Sequence, residues 1–225
     1  MGWKMFNQKE FNNFIVENKI IGLFEKPITL KSGRISNWYV NWRNISEDVF
    51  LLDKLSDFVL SFVEGLNLKP DCFYGVPEGA TKLGLFAQFK LAKSKDDYEK
   101  CKYVLAMGRG KPKEHGDVKD KFFVGAPKGN VIILEDVTTT GMSLLETVDN
   151  LKELGVNIIA AIGMTNRNEV RDDGKTVEQA LTEKGVKYYA LSNATELLPI
   201  VCKDENNQKI IDEYFEKYGT EKIKW

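Results

Sequence analysis

The stretch 131–143, VIILEDVTTTGMS, constrains the fold more than any other part of the chain. Its first four residues are apolar and predict a buried strand, which ends at the acidic pair Glu135 and Asp136. A threonine-rich loop follows, and the apolar spacing over 144–154 predicts a helix that Gly155 ends. A buried strand that continues through a loop into a helix is typical of a parallel sheet covered by helices.

The middle of the chain repeats this alternation. Further strands are predicted at 71–75, 102–107 and 156–164, with a helix at 81–91 between the first two. The sequence therefore predicts an α/β fold whose central, mostly parallel sheet is flanked by helices.

The N-terminal part carries different patterns. The residues 28–42 form two β-prone runs around the turn 31–34 and predict a hairpin. Apolar stripes predict helices at 47–66 and 207–218. A first helix is predicted from apolar residues at helical spacing, namely Phe11, Phe14, Ile15 and Leu23.

Composition excludes several classes of protein. Lysine and arginine number 32 against 33 acidic residues, so a net charge of −1 argues against a nucleic-acid partner. Three scattered cysteines and one histidine are too few for a disulfide framework or a structural zinc site. We find no apolar run long enough for a membrane span and no signal peptide, so we expect a cytoplasmic protein without a membrane partner.

The loop after the acidic pair suits a compact dianion such as a sugar 5′-phosphate. It offers backbone N–H groups, hydroxyls and the positive end of a helix dipole, and the carboxylates are placed for a ribose diol. The simpler interpretation is a helix start with good caps, which the acidic pair makes less attractive. The Walker and dinucleotide-binding motifs are both absent.

The segment 135–141, EDVTTTG, closely resembles the signature of the type I phosphoribosyltransferases, which bind 5-phosphoribosyl 1-pyrophosphate (PRPP). Three other segments resemble the orotate phosphoribosyltransferases among them: the hairpin 30–41, the basic loop 109–116 and 166–169. This resemblance implies one phosphoribosyltransferase domain over 1–225, with a small N-terminal hood at about 1–60 and a core at about 61–225.

The resemblance also implies the reaction: orotate N1 replaces pyrophosphate at C1′ of PRPP, giving orotidine 5′-monophosphate in pyrimidine synthesis. Lys113, His115 and Asp136 would be catalytic, and Mg²⁺ would be held mainly by PRPP rather than by dedicated protein ligands. The implied PRPP-binding residues are Lys31, Arg109, Lys111, Lys113, His115, Glu135, Asp136, Val137, Thr138, Thr139, Thr140, Gly141, Met142 and Ser143.

Orotate is planar and anionic, and the implied residues match that chemistry. Tyr39 and Val40 would form a wall, Thr139 would reach the base, and Arg167 can pair bidentately with the carboxylate. A packing role is the alternative for Tyr39 and is favoured for Trp38 and Trp42. A solvated basic loop is the alternative for 109–116.

Two positions depart from the family pattern. Gly110 stands where relatives have a lysine, and Lys111 follows it. The loop that holds pyrophosphate in many relatives has Glu78 and Gly79 here, so backbone N–H groups or Lys82 would make those contacts.

The family implies a homodimer in which the loop 109–116 reaches the neighbouring site. Two alternatives stay open: a phosphoribosyltransferase for another base, and a non-catalytic sensor of PRPP.

Overall fold

The computed structural model describes residues 2–30, 32–110, 113–115 and 121–225. Its centre is a four-stranded parallel sheet built from β3 (Cys72–Gly75), β6 (Asn130–Thr138), β7 (Asn157–Asn166) and β8 (Tyr188–Asn193). The strands lie in the order β3-β6-β7-β8, so the predicted α/β fold is confirmed. Since all four run parallel, their carboxyl ends meet at one edge, where ligands bind in folds of this kind.

The N-terminal part forms α1 (Gln8–Glu17), β1 (Ile21–Thr29), β2 (Ile35–Val40), α2 (Arg43–Glu47) and α3 (Val49–Gly65). The strands β1 and β2 pair antiparallel, which confirms the predicted hairpin. The placement of Leu23 on the first helix is wrong, because Leu23 lies in β1 and pairs with Trp38. The chain leaves α1 at Lys19, whose positive φ of 53° interrupts the helix.

The remaining helices are α4 (Thr81–Lys93), α5 (Met142–Glu153), α6 (Val177–Glu183), α7 (Ala194–Val201) and α8 (Glu205–Tyr218). The predicted strand at 102–107 is wrong over most of its length. Only β4 (Met107–Gly108) is a strand, and it pairs antiparallel with the short β5 (Phe123–Val124). The carbonyl of Val104 accepts a hydrogen bond from the Gln88 side chain instead of from a neighbouring strand.

Two apolar clusters lie in the fold. The larger one joins α1, the hairpin and α3 to β7 and to the last two helices, and it buries Trp38 and Trp42. The packing role predicted for these two tryptophans is therefore confirmed. The second cluster packs α5 and α6 against the sheet. The division into hood and core stays a prediction. Within the described part of the chain, no helix is long and apolar enough to cross a membrane.

Candidate active site

A cavity of about 970 Å³ lies at the carboxyl edge of the sheet. The hairpin, the loop after β3, the end of β6 and the start of α5 all contribute to its wall. The predicted site residues that line it are Tyr39, Val40, Glu78, Gly79, Lys82, Arg109, Glu135, Asp136, Val137, Thr139, Thr140, Gly141, Met142, Ser143 and Arg167.

The loop 139–141 turns β6 into α5 beside this cavity. Gly141 has a φ of 68°, and a β-carbon there would lie 2.8 Å from a methyl group of Val177, so glycine is required at this turn. Gly141 is also the N-cap residue of α5, which means that no threonine side chain takes the cap position. The first N–H groups of a helix have no partner within it and attract anions, so this helix start is suited to a phosphate.

The acidic pair lies in the last part of β6. Glu135 is 7% exposed, and it pairs with Gly163 of β7. Asp136 accepts a hydrogen bond at Oδ1 from the N–H of Val137, at 2.8 Å. Both residues line the cavity, so two carboxylates lie near the end of β6, shortly before the turn 139–141.

Thr138 is buried beneath the loop and does not line the cavity, unlike the loop residues that follow it. It is 1% exposed, it is absent from the cavity wall, and its hydroxyl packs against Gly163. Its carbonyl accepts a hydrogen bond from the backbone N–H of Arg167, at 2.9 Å. Thr138 therefore joins the end of β6 to Arg167, and its predicted contact with PRPP stays a prediction.

Arg167 is 1% exposed and follows β7. Its guanidinium lies 3.5 Å from the ring centroid of Trp38. Its Nε donates to Oε1 of Glu169 at 2.6 Å, and its Nη2 lies within donating distance of Ser36 Oγ at 3.3 Å and the Tyr214 hydroxyl at 3.2 Å. With Nε and Nη2 engaged, the bidentate pairing predicted from the sequence would have to displace Ser36 or Tyr214.

The other terminal nitrogen of Arg167, Nη1, is buried and has no hydrogen-bond partner within the described ranges. Arg167 lines the cavity, so a ligand there that reached this buried nitrogen would supply its missing partner. A buried donor without a partner is costly, and such groups are typical of sites that a ligand completes.

Arg34 and Glu169 were missed in the sequence analysis. Nη1 of Arg34 donates to Oε2 of Glu169 at 2.7 Å, while Nη2 donates to the carbonyl of Val170. Burial lowers the pKa of Arg34, but the hydrogen bond and charge of Glu169 outweigh this, and the pKa is raised. The only signal in the sequence is a glutamate two residues after Arg167.

Tyr74 of β3 is a further cavity residue that the sequence analysis missed. It is 4% exposed, and burial raises its pKa to about 12. The hydroxyl is therefore protonated at neutral pH and adds no negative charge to the wall.

The loop after β3 carries the predicted pyrophosphate residues. The Pro77–Glu78 peptide bond is cis. Nζ of Lys82 donates to the carbonyl of Ser46 at 2.9 Å, which ties α4 to α2. A β-carbon at Gly110 would lie 2.6 Å from Oε1 of Glu78, so the start of the basic loop lies against this carboxylate.

The remaining predicted residues of the basic loop, and Lys31 of the hairpin, either do not line the cavity or are not among the residues that the structure describes. Lys113 and His115 are exposed and do not line the cavity, and the backbone N–H of Lys113 donates to the carbonyl of Lys121. Lys31, Lys111 and Gly116 lie outside the described residues. The roles of all these residues stay predictions.

No family model matches the chain. A curated orotate phosphoribosyltransferase from Rhodopseudomonas palustris is 32% identical over 199 residues, which cover 82% of this chain and 92% of the relative. One from Clostridium botulinum is 29% identical over 224 residues, covering 94% and 97%. A crystal structure of an orotate phosphoribosyltransferase from Francisella tularensis superposes with a TM-score of 0.68 at 23% identity, covering 93% of this chain and 99% of that one.

Proposed function

The chain belongs to the orotate phosphoribosyltransferase family, and on that premise we propose that it transfers the 5-phosphoribosyl group of PRPP to N1 of orotate. The products are orotidine 5′-monophosphate and pyrophosphate, and the reaction is a step in pyrimidine nucleotide synthesis. One observation carries the proposal: the turn 139–141 at the start of α5 and Arg167, whose buried Nη1 is unsatisfied, line the same cavity. A substrate sugar phosphate and an anionic base would occupy these two places together.

The binding of PRPP is divided between three parts of the wall. The 5′-phosphate accepts from the N–H groups of the loop 139–141 and the first turn of α5. Glu135 and Asp136 accept from the ribose hydroxyls. Pyrophosphate lies toward Gly79, Lys82 and the basic loop.

In the reaction, the bond from C1′ to the pyrophosphate oxygen breaks, and a bond from C1′ to N1 of orotate forms as N1 loses its proton. Positive charge develops at C1′, and the Asp136 carboxylate stabilises it. Negative charge develops on pyrophosphate, and Lys113, with His115, neutralises or protonates the departing oxygen. Closure of the basic loop excludes water, which would otherwise hydrolyse the reactive sugar.

Magnesium fits the donors present. No group of three or more histidine, cysteine or acidic residues in the described ranges could hold a metal by itself. Glu135 and Asp136 nevertheless offer the hard carboxylate oxygens that Mg²⁺ prefers, in the same cavity wall as the proposed pyrophosphate residues Gly79 and Lys82. When bound, Mg²⁺ supplies positive charge to the leaving group, and the substrate oxygens provide most of its ligands.

The proposed assembly is a homodimer of one-domain subunits, in which the loop 109–116 reaches the neighbouring site. In this proposal Lys31, Lys111 and Thr138 also contact PRPP. Tyr39 and Val40 form the wall beside orotate, and Thr139 reaches the base.

The test is the loss of orotate ultraviolet absorbance with purified protein, PRPP and Mg²⁺, beside controls that lack each component. We expect loss only when all three are present, and none with uracil, which lacks the carboxylate. Turnover of a purine base instead would assign the chain to another base. PRPP binding by calorimetry without turnover of any base would indicate a sensor.

A further inference from the structure

Two arginines and one glutamate form a buried ionic triad beside the cavity. The side chains of Arg34, Arg167 and Glu169 are 7%, 1% and 0% exposed. Glu169 binds one arginine with each oxygen, at 2.7 Å for Arg34 and 2.6 Å for Arg167. Two positive charges therefore share one buried negative charge.

The remaining acidic neighbour does not balance this excess. Asp172 lies 3.2 Å from Arg34, but its side chain is 96% exposed and is screened by water. Buried charge without a partner is unfavourable, so an anion that reached the triad from the cavity would be strongly attracted. Arg167 is the member of the triad that lines the cavity.

Arg167 is also fixed in place by its neighbours. Trp38 lies beneath its guanidinium, and Glu169 holds Nε. The Tyr214 hydroxyl donates to Oε1 of Glu169 at 2.8 Å and accepts from Nη2 of Arg167 at 3.2 Å. One phenol on α8 thus joins both partners of the ion pair and fixes the orientation of the guanidinium, while Nη1 has no partner among the described residues.

We propose that Glu169, Arg34 and Tyr214 are positioning residues that make Arg167 selective for a base bearing a carboxylate. The inference rests on the proposed function, and it adds the means of selection: the triad carries an excess positive charge, and Tyr214 fixes the orientation of the Arg167 guanidinium. A base without an anionic group leaves both that charge and Nη1 unsatisfied, so it binds weakly.

The test compares Tyr214→Phe with Tyr218→Phe. The first variant removes the bridging hydroxyl and keeps the ring beside Trp38. The second removes a hydroxyl from the same helix, and it keeps the ring that stacks on Arg34. We measure kcat and the KM values for orotate and PRPP, together with thermal melting of each variant.

We expect Tyr214→Phe to raise the orotate KM by about five- to tenfold, the usual effect of one lost hydrogen bond, with kcat and the PRPP KM within about twofold of wild type. Tyr218→Phe should match wild type. Should Tyr214→Phe not fold, Ser36→Ala removes the other Nη2 acceptor and should shift the same KM.

The outcomes separate the two proposals. An active wild type, with equal changes in both KM values or none in Tyr214→Phe, overturns the positioning role and leaves the proposed function intact. A wild type that does not turn over orotate at all overturns the proposed function and this inference with it.

Discussion

The backbone of Gly79 lies directly against the carboxylate of Asp136. A β-carbon at position 79 would come within 2.6 Å of Cγ of Asp136 and 2.8 Å of its Oδ1. Real β-carbons do not approach so closely, and Asp136 cannot move freely because its Oδ1 accepts from the N–H of Val137. The loop after β3 and the acidic end of β6 therefore fit together only with glycine at position 79.

Gly79→Ala should disturb catalysis more than folding. The added methyl group pushes the Asp136 carboxylate from its place at the ribose, and we expect kcat/KM for PRPP to fall by about 100-fold, as for other small displacements in active sites. Steady-state kinetics measure this. Gly65→Ala is the control, since a β-carbon there meets nothing within 4 Å. Normal kinetics in Gly79→Ala would show that Asp136 needs no fixed position.

Asp136→Asn tests the charge of the same carboxylate without changing its size. We expect kcat at saturating PRPP to fall by about 100-fold, because the positive charge that develops at C1′ loses its stabilising partner. Single-turnover kinetics would separate this effect from product release. Unchanged turnover would remove Asp136 from the mechanism and leave it a role in binding the ribose.

The unit from β6 to α5 is predictable because it is local. Buried strand, acidic pair, loop and helix follow one another within 131–153, and each leaves its own pattern in the sequence. The structure then places Arg167 beside this unit, as expected from parallel strands that end at one edge.

Other features depend on partners that the sequence does not reveal. Tyr214 reaches Arg167 across 47 residues, and its place on α8 gives only the signal of an apolar stripe. The residues 102–106 have β-prone character but form no strand pairing in the described part of the chain, and a strand forms only where backbone partners are present. Leu23 matches the helical spacing of the apolar residues before it, but α1 ends at Glu17, before position 23.

Arg167→Ala should impair recognition of the base far more than of PRPP. The variant removes a buried cation of the cavity wall whose Nη1 has no partner in the described ranges, so we expect the orotate KM to rise by at least about 30-fold. The PRPP KM should change by less than about threefold. Equal increases in both constants would contradict the role of Arg167 at the carboxylate.

Arg171→Ala should give the opposite pattern. The Arg171 guanidinium donates to the carbonyl of Thr140 and so supports the loop 139–141, which we propose binds the 5′-phosphate. Without it we expect a several-fold higher KM for PRPP, of the order of one lost hydrogen bond, and an unchanged KM for orotate. Asp173→Ala is a matched control, because it removes the carboxylate that pairs with Arg171 and leaves the donor to Thr140 in place. A higher orotate KM in Arg171→Ala would disprove a role confined to the loop.

Lys113→Ala tests the leaving-group role of the basic loop. Lys113 is exposed and lies outside the cavity wall, so its loss should leave the fold intact and PRPP should still bind. We expect kcat to fall by about 100-fold or more as the charge on pyrophosphate loses its partner, while calorimetry still detects PRPP binding. Lys95→Ala, at another exposed lysine, is the control. A small change in kcat would exclude Lys113 as the residue that neutralises pyrophosphate.

The same variant tests where the loop acts. If each loop serves the neighbouring site, a hybrid dimer of Lys113→Ala and Asp136→Asn subunits contains one site with both native residues. Random exchange makes half the dimers hybrid, so mixing the two variants should restore about a quarter of wild-type turnover. If each loop serves its own subunit, every site in the hybrid lacks one residue, and mixing restores nothing.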